Sequence, residues 1–158
     1  MLNEFTIVRD VVTIFMRAGA FCLIDLQDLS LAQSLPTSWQ PHTVGKVTYA
    51  KGWPGKGKPT VYLHLLILPA IKGFVTDHRD TNGLNNRRYN LRHATKSLNG
   101  LNRVGPNTNS GTGVLGVTKT HRGTFVVRMK DGKSTARQTH SDLESAKRSA
   151  AVQRKGIA

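Results

Sequence analysis

Apolar and polar residues alternate in short runs along most of the chain, and few stretches are long enough for a helix. Over residues 5–24, three β-branched or apolar runs (6–8, 11–16 and 20–24) are separated by Arg9-Asp10 and by Arg17-Ala18-Gly19. Runs of this length bounded by turn formers predict strands. Leu26, Leu29 and Leu35 then recur at near-helical spacing, with Asp25 placed as an N-cap and Pro36 as a stop, so a short helix is expected over 25–35. Residues 43–50 and 60–64 read as strands flanking a Gly-, Pro- and Lys-rich loop, 51–59. Residues 62–68, apolar around His64, read as a strand passing into a short buried helix before Pro69.

Further on, a short strand ending at Asp77 precedes a loop of turn formers over 80–86. A second strand over 91–95 and a short helix over 97–103, with Leu98 and Leu101 inward, complete a strand–loop–strand–helix order. Residues 105–113 are low in charge and rich in breakers, and read as a linker. A strand is expected over 114–118, a turn at Arg122-Gly123, and a strand over 124–130. There Phe125, Val127 and Met129 share one face, while Thr124, Val126, Arg128 and Lys130 share the other. Asp131-Gly132 is a two-residue hairpin signal leading to a strand over 133–139. Ser141 and Glu144 have capping-box spacing before a helix lined by Leu143, Ala146 and Ala150. The pattern predicts an α+β protein in three parts: a β-rich region over 1–60, a ββα core over 61–105, and a three-strand-plus-helix module over 106–158 whose outer sheet face is open and basic.

Charge narrows the class of partner. The 158 residues carry a net charge of +14 with a pI near 10.7. That balance favours polyanions, most often nucleic acid. The excess is uneven: +3 over 1–74, +4 over 75–103 and +7 over 104–158. Cys22 is the only cysteine, so neither an intrachain disulfide nor a cysteine-based zinc site can form, and a cytoplasmic location is expected. The longest uncharged run near the start, 11–16, is too short for a membrane span. Lys51, Lys56 and Lys58 suit a DNA backbone and a solvated loop tip equally.

The polar stretch from Asp77 to Arg103 carries the candidate chemistry. Phosphodiester hydrolysis needs an activated water and positive charge against the developing phosphorane. His78 can accept a proton from water near neutral pH. Asp77 offers an anionic oxygen and Asn99 an amide oxygen, a hard pair suited to Mg²⁺ or Mn²⁺ rather than zinc. Neighbours on a strand point to opposite faces, so Asp77 and His78 share a site only where the strand ends. The Asn90 amide can tie the loop to the strand and set the direction of His78. Arg87, Arg88 and Arg103 are candidates for phosphate oxygens. Lys119, Arg122, Arg128 and Lys130 are candidates for the DNA-facing edge of the last sheet. His64, flanked by Leu63, Leu65 and Leu66, reads as a core histidine, with a ligand role as the alternative.

The motifs Leu63-His64, Val75-x-Asp77-His78, Gly83-Leu84-x-Asn86-Arg87-Arg88-x-Asn90-Leu91-Arg92 and Asn99-x-x-Asn102-Arg103 resemble the HNH endonuclease family. The resemblance is to the branch of phage and intron homing endonucleases whose last motif residue is Asn, and the 13- and 22-residue steps from Asp77 to Asn90 and Asn99 fit that branch. It implies a ββα-metal site with His78 as general base, Asp77 and Asn99 as ligands of one Mg²⁺ or Mn²⁺, and Asn90 as the structural Asn. It also implies nicking or double-strand cleavage of double-stranded DNA by a monomer or homodimer, in the cytoplasm of a bacterium or phage-infected host. Residues 5–60 are more loosely similar to the β-rich N-terminal part of that branch. Residues 107–152 resemble the DNA-binding module of plant ethylene-response factors, through Asn109-Ser110-Gly111, Gly116-Val117 and the Phe125 strand. Phe125 stands where Trp is common there, and Leu65 follows His64 where Arg is common. A non-catalytic DNA-binding regulator on the same scaffold is the alternative. A ribosomal-type RNA-binding protein accounts for the charge but not for the Asp-His-Asn-Asn spacing.

Overall fold

Two compact units, residues 1–94 and 95–158, replace the expected three parts. The computed structural model describes residues 1–107, 109–130 and 135–155. The class is α+β, built from small antiparallel sheets and short helices.

The first unit opens with a meander: β1 (Phe5–Val8), β2 (Val11–Phe15) and β3 (Phe21–Asp25), paired in that order. Period-two alternation buries Val12 and Ile14 of β2 and Cys22 and Ile24 of β3 on one face. A 3₁₀ turn over Leu26–Asp28 leads into α1 (Leu29–Gln33). The expected N-cap at Asp25 is not made; its carboxylate accepts from Arg87 and Arg88 instead. Trp39 is fully buried, its indole N–H donating to the Ala32 carbonyl at 3.3 Å.

Residues 43–50, expected as one strand, are a hairpin. β4 (Gln40–Val44) turns at Gly45-Lys46 into β5 (Val47–Gly52), and Gly45 takes φ +62°. Left-handed backbone at a two-residue turn is where glycine is cheapest. Across the lysine-rich loop, β5 pairs with β6 (Val61–Tyr62), which runs into α2 (Leu63–Ile67) as expected. β7 (Val75–His78) and β8 (Leu91–Ala94) form the last sheet of the unit. Leu63 and Ile67 of α2 and Leu91 of β8 enter the core formed by Val12, Ile14, Ile24 and Trp39. Each such side chain contributes roughly 1.5–3 kcal/mol on burial. That shared core is why no boundary falls at 60/61.

The second unit begins with α3 (Lys96–Leu101), capped by the Thr95 hydroxyl accepting from Leu98 N at 3.2 Å. β9 (Val117–Lys119), β10 (Phe125–Lys130) and β11 (Thr135–His140) form a sheet in the order β11-β10-β9, followed by α4 (Leu143–Lys155). Val117 and Val127 pack with Ala146 and Ala150, and Leu101 joins them, so α3 belongs to this unit and no boundary falls at 105/106. The cap of α4 differs by one residue from expectation: Asp142 Oδ1, not Ser141, accepts from Ser145 N at 2.8 Å. The Asp131-Gly132 turn and the side chains of Met129 and Lys130 lie outside the described residues. Among the described residues no helix is long and apolar enough to cross a membrane.

Candidate active site

β7 ends at His78, as a shared site for Asp77 and His78 requires, and the chain leaves the strand with Arg79 N donating to Asn90 O at 2.8 Å. Asp77 faces Arg92 across the sheet, and its Oδ2 accepts from Arg92 Nε at 2.9 Å. His78 turns into the interior, 5% exposed. Its Nε2 lies 3.1 Å from Asn86 Oδ1. Asn86 is fully buried, its backbone N–H donating to Leu23 O at 2.8 Å and its side-chain Nδ2 to Leu84 O at 3.3 Å. With Nδ2 turned to a carbonyl, Oδ1 is the atom left for His78, so the imidazole donates from Nε2–H and its basic lone pair is on Nδ1.

The loop between the strands is closed by reciprocal amide bonds. Asn90 Oδ1 accepts from Asp80 N at 3.0 Å, while Asn90 Nδ2 donates to Asp80 Oδ1 at 2.8 Å and to Asn85 O at 2.7 Å. Asp80 also accepts from Asn82 N and Asn85 Nδ2. Thr81 takes φ +64°, an uncommon conformation for a β-branched residue, which these bonds hold in place. Asn90 therefore ties the loop, as expected, but the contact that sets the His78 ring comes from Asn86. The motif contained Asn86 without revealing that role, because its partner is eight residues away in sequence and defined only by the loop's path.

Rings surround His78. The His64 ring lies 5.0 Å away and the Tyr49 ring 5.8 Å; Tyr49, Tyr62 and His64 also contact one another. Gly83 permits this closeness, since a Cβ there would lie 2.5 Å from Thr48 O and 2.7 Å from Tyr49 Cδ1. Burial lowers the His78 pKa, and the Asn86 bond and the Asp80 and Asp77 carboxylates offset part of that. Burial, and then the neighbouring His78, push His64 down to about 3. His64 is thus a neutral buried ring, and its Nδ1 has no hydrogen-bond partner among the described residues. Burial raises the Tyr49 hydroxyl, and the Asp77 charge adds to it, which places that carboxylate's field on the same cluster. Burial alone would raise the Asp80 carboxyl, but bonds from Asn85, Asn82 and Asn90 hold it below its usual value. The Cys22 thiol is pushed up to about 12 by burial and is inert.

Two expected phosphate contacts have other partners. Arg87 Nε donates to Asp25 at 2.7 Å, and its guanidinium also meets Asp10 and the Tyr89 ring. Arg88 pairs with the buried Asp28 at 2.7 Å. Arg87 fastens the loop to the N-terminal meander and Arg88 fastens it to the 3₁₀ turn that follows, links that local patterning cannot detect across some 60 residues of chain.

Asp77, His78 and Asn90 come together in the first unit, while Asn99 lies half-buried in α3 of the second. Also in the second unit, Arg103 donates to the Asn107 side chain. Lys119, Arg122 and Arg128 are exposed. The register puts Lys119 opposite Phe125, on the face that carries Val127, whereas Arg128 stands opposite Arg137 on the other face. Arg128 and Arg137 are therefore the adjacent cations of that outer face, and Arg137 was not singled out from sequence. Val126 on the same face is buried, so the face is not open along its whole length.

Among the described residues no group of three or more His, Cys, Asp or Glu side chains could hold a metal ion. Mg²⁺ does not need one, since it keeps several waters and takes one or two protein oxygens plus substrate phosphates. The buried Asp77 carboxylate fits that chemistry. Comparisons with protein-family models, curated proteins and solved structures find no match.

Proposed function

We propose that the chain is a metal-dependent endonuclease of the HNH type that hydrolyses phosphodiester bonds in double-stranded DNA. The observation that carries this reading is His78 at the end of β7, beside Asp77, with its ring held by Asn86 so that Nδ1 is the basic atom. His78 takes a proton from water as its oxygen attacks phosphorus and the P–O bond to the leaving group breaks. Asn86 stabilises the imidazolium through the Nε2–H bond and keeps the ring from turning. Asp77, oriented by Arg92, would hold Mg²⁺ or Mn²⁺, which when bound supplies positive charge to the phosphate oxygens. The net charge of +14 supports a nucleic-acid substrate, and the exposed Arg128 and Arg137 give the second unit a cationic pair for DNA phosphates.

A second reading, a DNA-binding protein on this scaffold that does not cut, is favoured by the Asp77–Arg92 ion pair, which gives the carboxylate a structural partner. Supercoiled plasmid incubated with Mg²⁺ and with EDTA separates the two. Conversion to open-circle or linear DNA with Mg²⁺ alone supports the nuclease; retention of supercoiled DNA in both supports the regulator.

A further inference from the structure

Beyond the active site, the first unit carries a second surface with its own chemistry. Antiparallel partners share a sheet face. The pairs His42–Tyr49, Gln40–Lys51 and Lys51–Tyr62 therefore set these five side chains on one face of the β4-β5-β6 sheet. Tyr49 contacts His78 at one end of this face. At the other, β5 ends at Gly52 and the chain presents Trp53, 59% exposed. Four residues of extended chain place Trp53 about 13 Å from Tyr49.

Trp53 is exposed but not loose. The hydroxyl of buried Thr37 accepts from Trp53 N at 2.8 Å and donates to Trp53 O at 3.1 Å. Gly52 allows that approach, because a Cβ there would meet Thr37 Cγ2 at 2.8 Å. The indole borders a groove of about 600 Å³ walled by Pro36, Pro41, His42, Lys51 and Thr60. That volume is in the range that holds a small ligand or nucleotide. Residues 29–76 contain five lysines and no carboxylate. Among the described residues, none of those lysines is in an ion pair. Trp39, by contrast, is fully buried in the core.

We infer that Trp53 is a stacking platform for an unstacked nucleobase of the DNA, with Lys51, Lys56 and Lys58 on the flanking phosphates. The face between Trp53 and Tyr49 is then the track along which the strand reaches His78. Aromatic stacking accepts any base, because every base has a π-face, and the lysines supply the backbone attraction. The inference rests on the DNA reading above and adds where the strand is gripped. The base can come from an unpaired strand or be levered out of a duplex.

The full-length chain in EDTA, titrated with a mixed-sequence DNA oligonucleotide as single strand and as duplex, tests it. Binding is followed by anisotropy of the labelled DNA and, separately, by tryptophan fluorescence. Only two tryptophans are present and Trp39 is buried, so a change in emission reports Trp53. The expected result is quenching on binding. Trp53→Ala should weaken binding roughly five- to a hundredfold, and Trp53→Tyr should restore most of it. Lys51→Ala should lower the salt slope by about one. Because Thr37 bonds the Trp53 backbone, Trp53→Ala should keep the Trp39 emission of the folded chain. Quenching by the single strand alone assigns the base to unpaired DNA, and quenching by both to a base levered from the duplex. Binding without quenching, or wild-type affinity in Trp53→Ala, overturns the platform and leaves the DNA reading standing. No binding in either arm overturns both.

Discussion

The Asn86 side chain fixes the tautomer of His78. Its Oδ1 sits 3.1 Å from His78 Nε2, and its Nδ2 is committed to the Leu84 carbonyl. Asn86→Ala is expected to release that choice. Long-range ¹⁵N spectra of the metal-free protein should show one Nε2–H tautomer for wild-type His78 and a mixture in the variant. Cleavage should fall by about ten- to a hundredfold, with DNA affinity nearly unchanged. The same tautomer in both proteins would remove Asn86 from this role.

Arg88 and Asp28 give a prediction of the opposite kind, about stability rather than cleavage. Asp28 is buried and paired with Arg88, so Arg88→Ala leaves a buried carboxylate without its partner. The expected loss is on the order of 2 kcal/mol in urea unfolding. The salt slope of DNA binding should stay as in wild type. A drop of about one in that slope would instead mark Arg88 as a phosphate contact.

These arginines also show what the chain's pattern conceals. Alternation in β2 and β3 made the meander and its inner face readable, because Val12, Ile14, Cys22 and Ile24 obey period two. The Asp77–His78 strand end was readable from the turn formers that follow. The pairs Arg87–Asp25 and Arg88–Asp28 were not, since charges 60 residues apart have no local signature. The β4–β5 hairpin was missed because Gly45-Lys46 sits in a run of strand formers and its left-handed backbone is invisible in sequence. The His78–Asn86 bond depends on how the loop folds back, and β3, bridging to Asn85, helps to fix that path.

Stability should depend on pH through His64. Its pKa is depressed from 6.5 to about 3, so it is neutral in the fold and charged in the unfolded chain below 6.5. Unfolding then takes up a proton; the stabilisation is complete above about 6.5 and is lost as pH falls towards about 3. The slope is at most about 1.4 kcal/mol per pH unit. Burial depresses His78 in the same direction. The urea midpoint of wild type should therefore fall relative to that of His64→Phe as pH is lowered from about 7 to about 5. Parallel pH profiles would count against a neutral buried His64.

Gly83 gives a steric test of the ring cluster. A methyl group there would lie 2.5 Å from Thr48 O and 2.7 Å from Tyr49 Cδ1, so Gly83→Ala must push the loop from β5. The expected cost is about 1–3 kcal/mol, with cleavage falling further than stability alone predicts because Asn86 moves with the loop. Wild-type stability and cleavage in Gly83→Ala would show that the contact is slack.

On the proposed reading, His78 activates the attacking water. The most direct test of that step is a supercoiled plasmid with Mg²⁺, cut by wild type and by His78→Ala at concentrations where both bind the DNA. Open-circle or linear product from wild type, and a rate reduced by about a hundredfold or more in the variant with DNA affinity retained, is the predicted result. Undiminished cleavage by His78→Ala would contradict it.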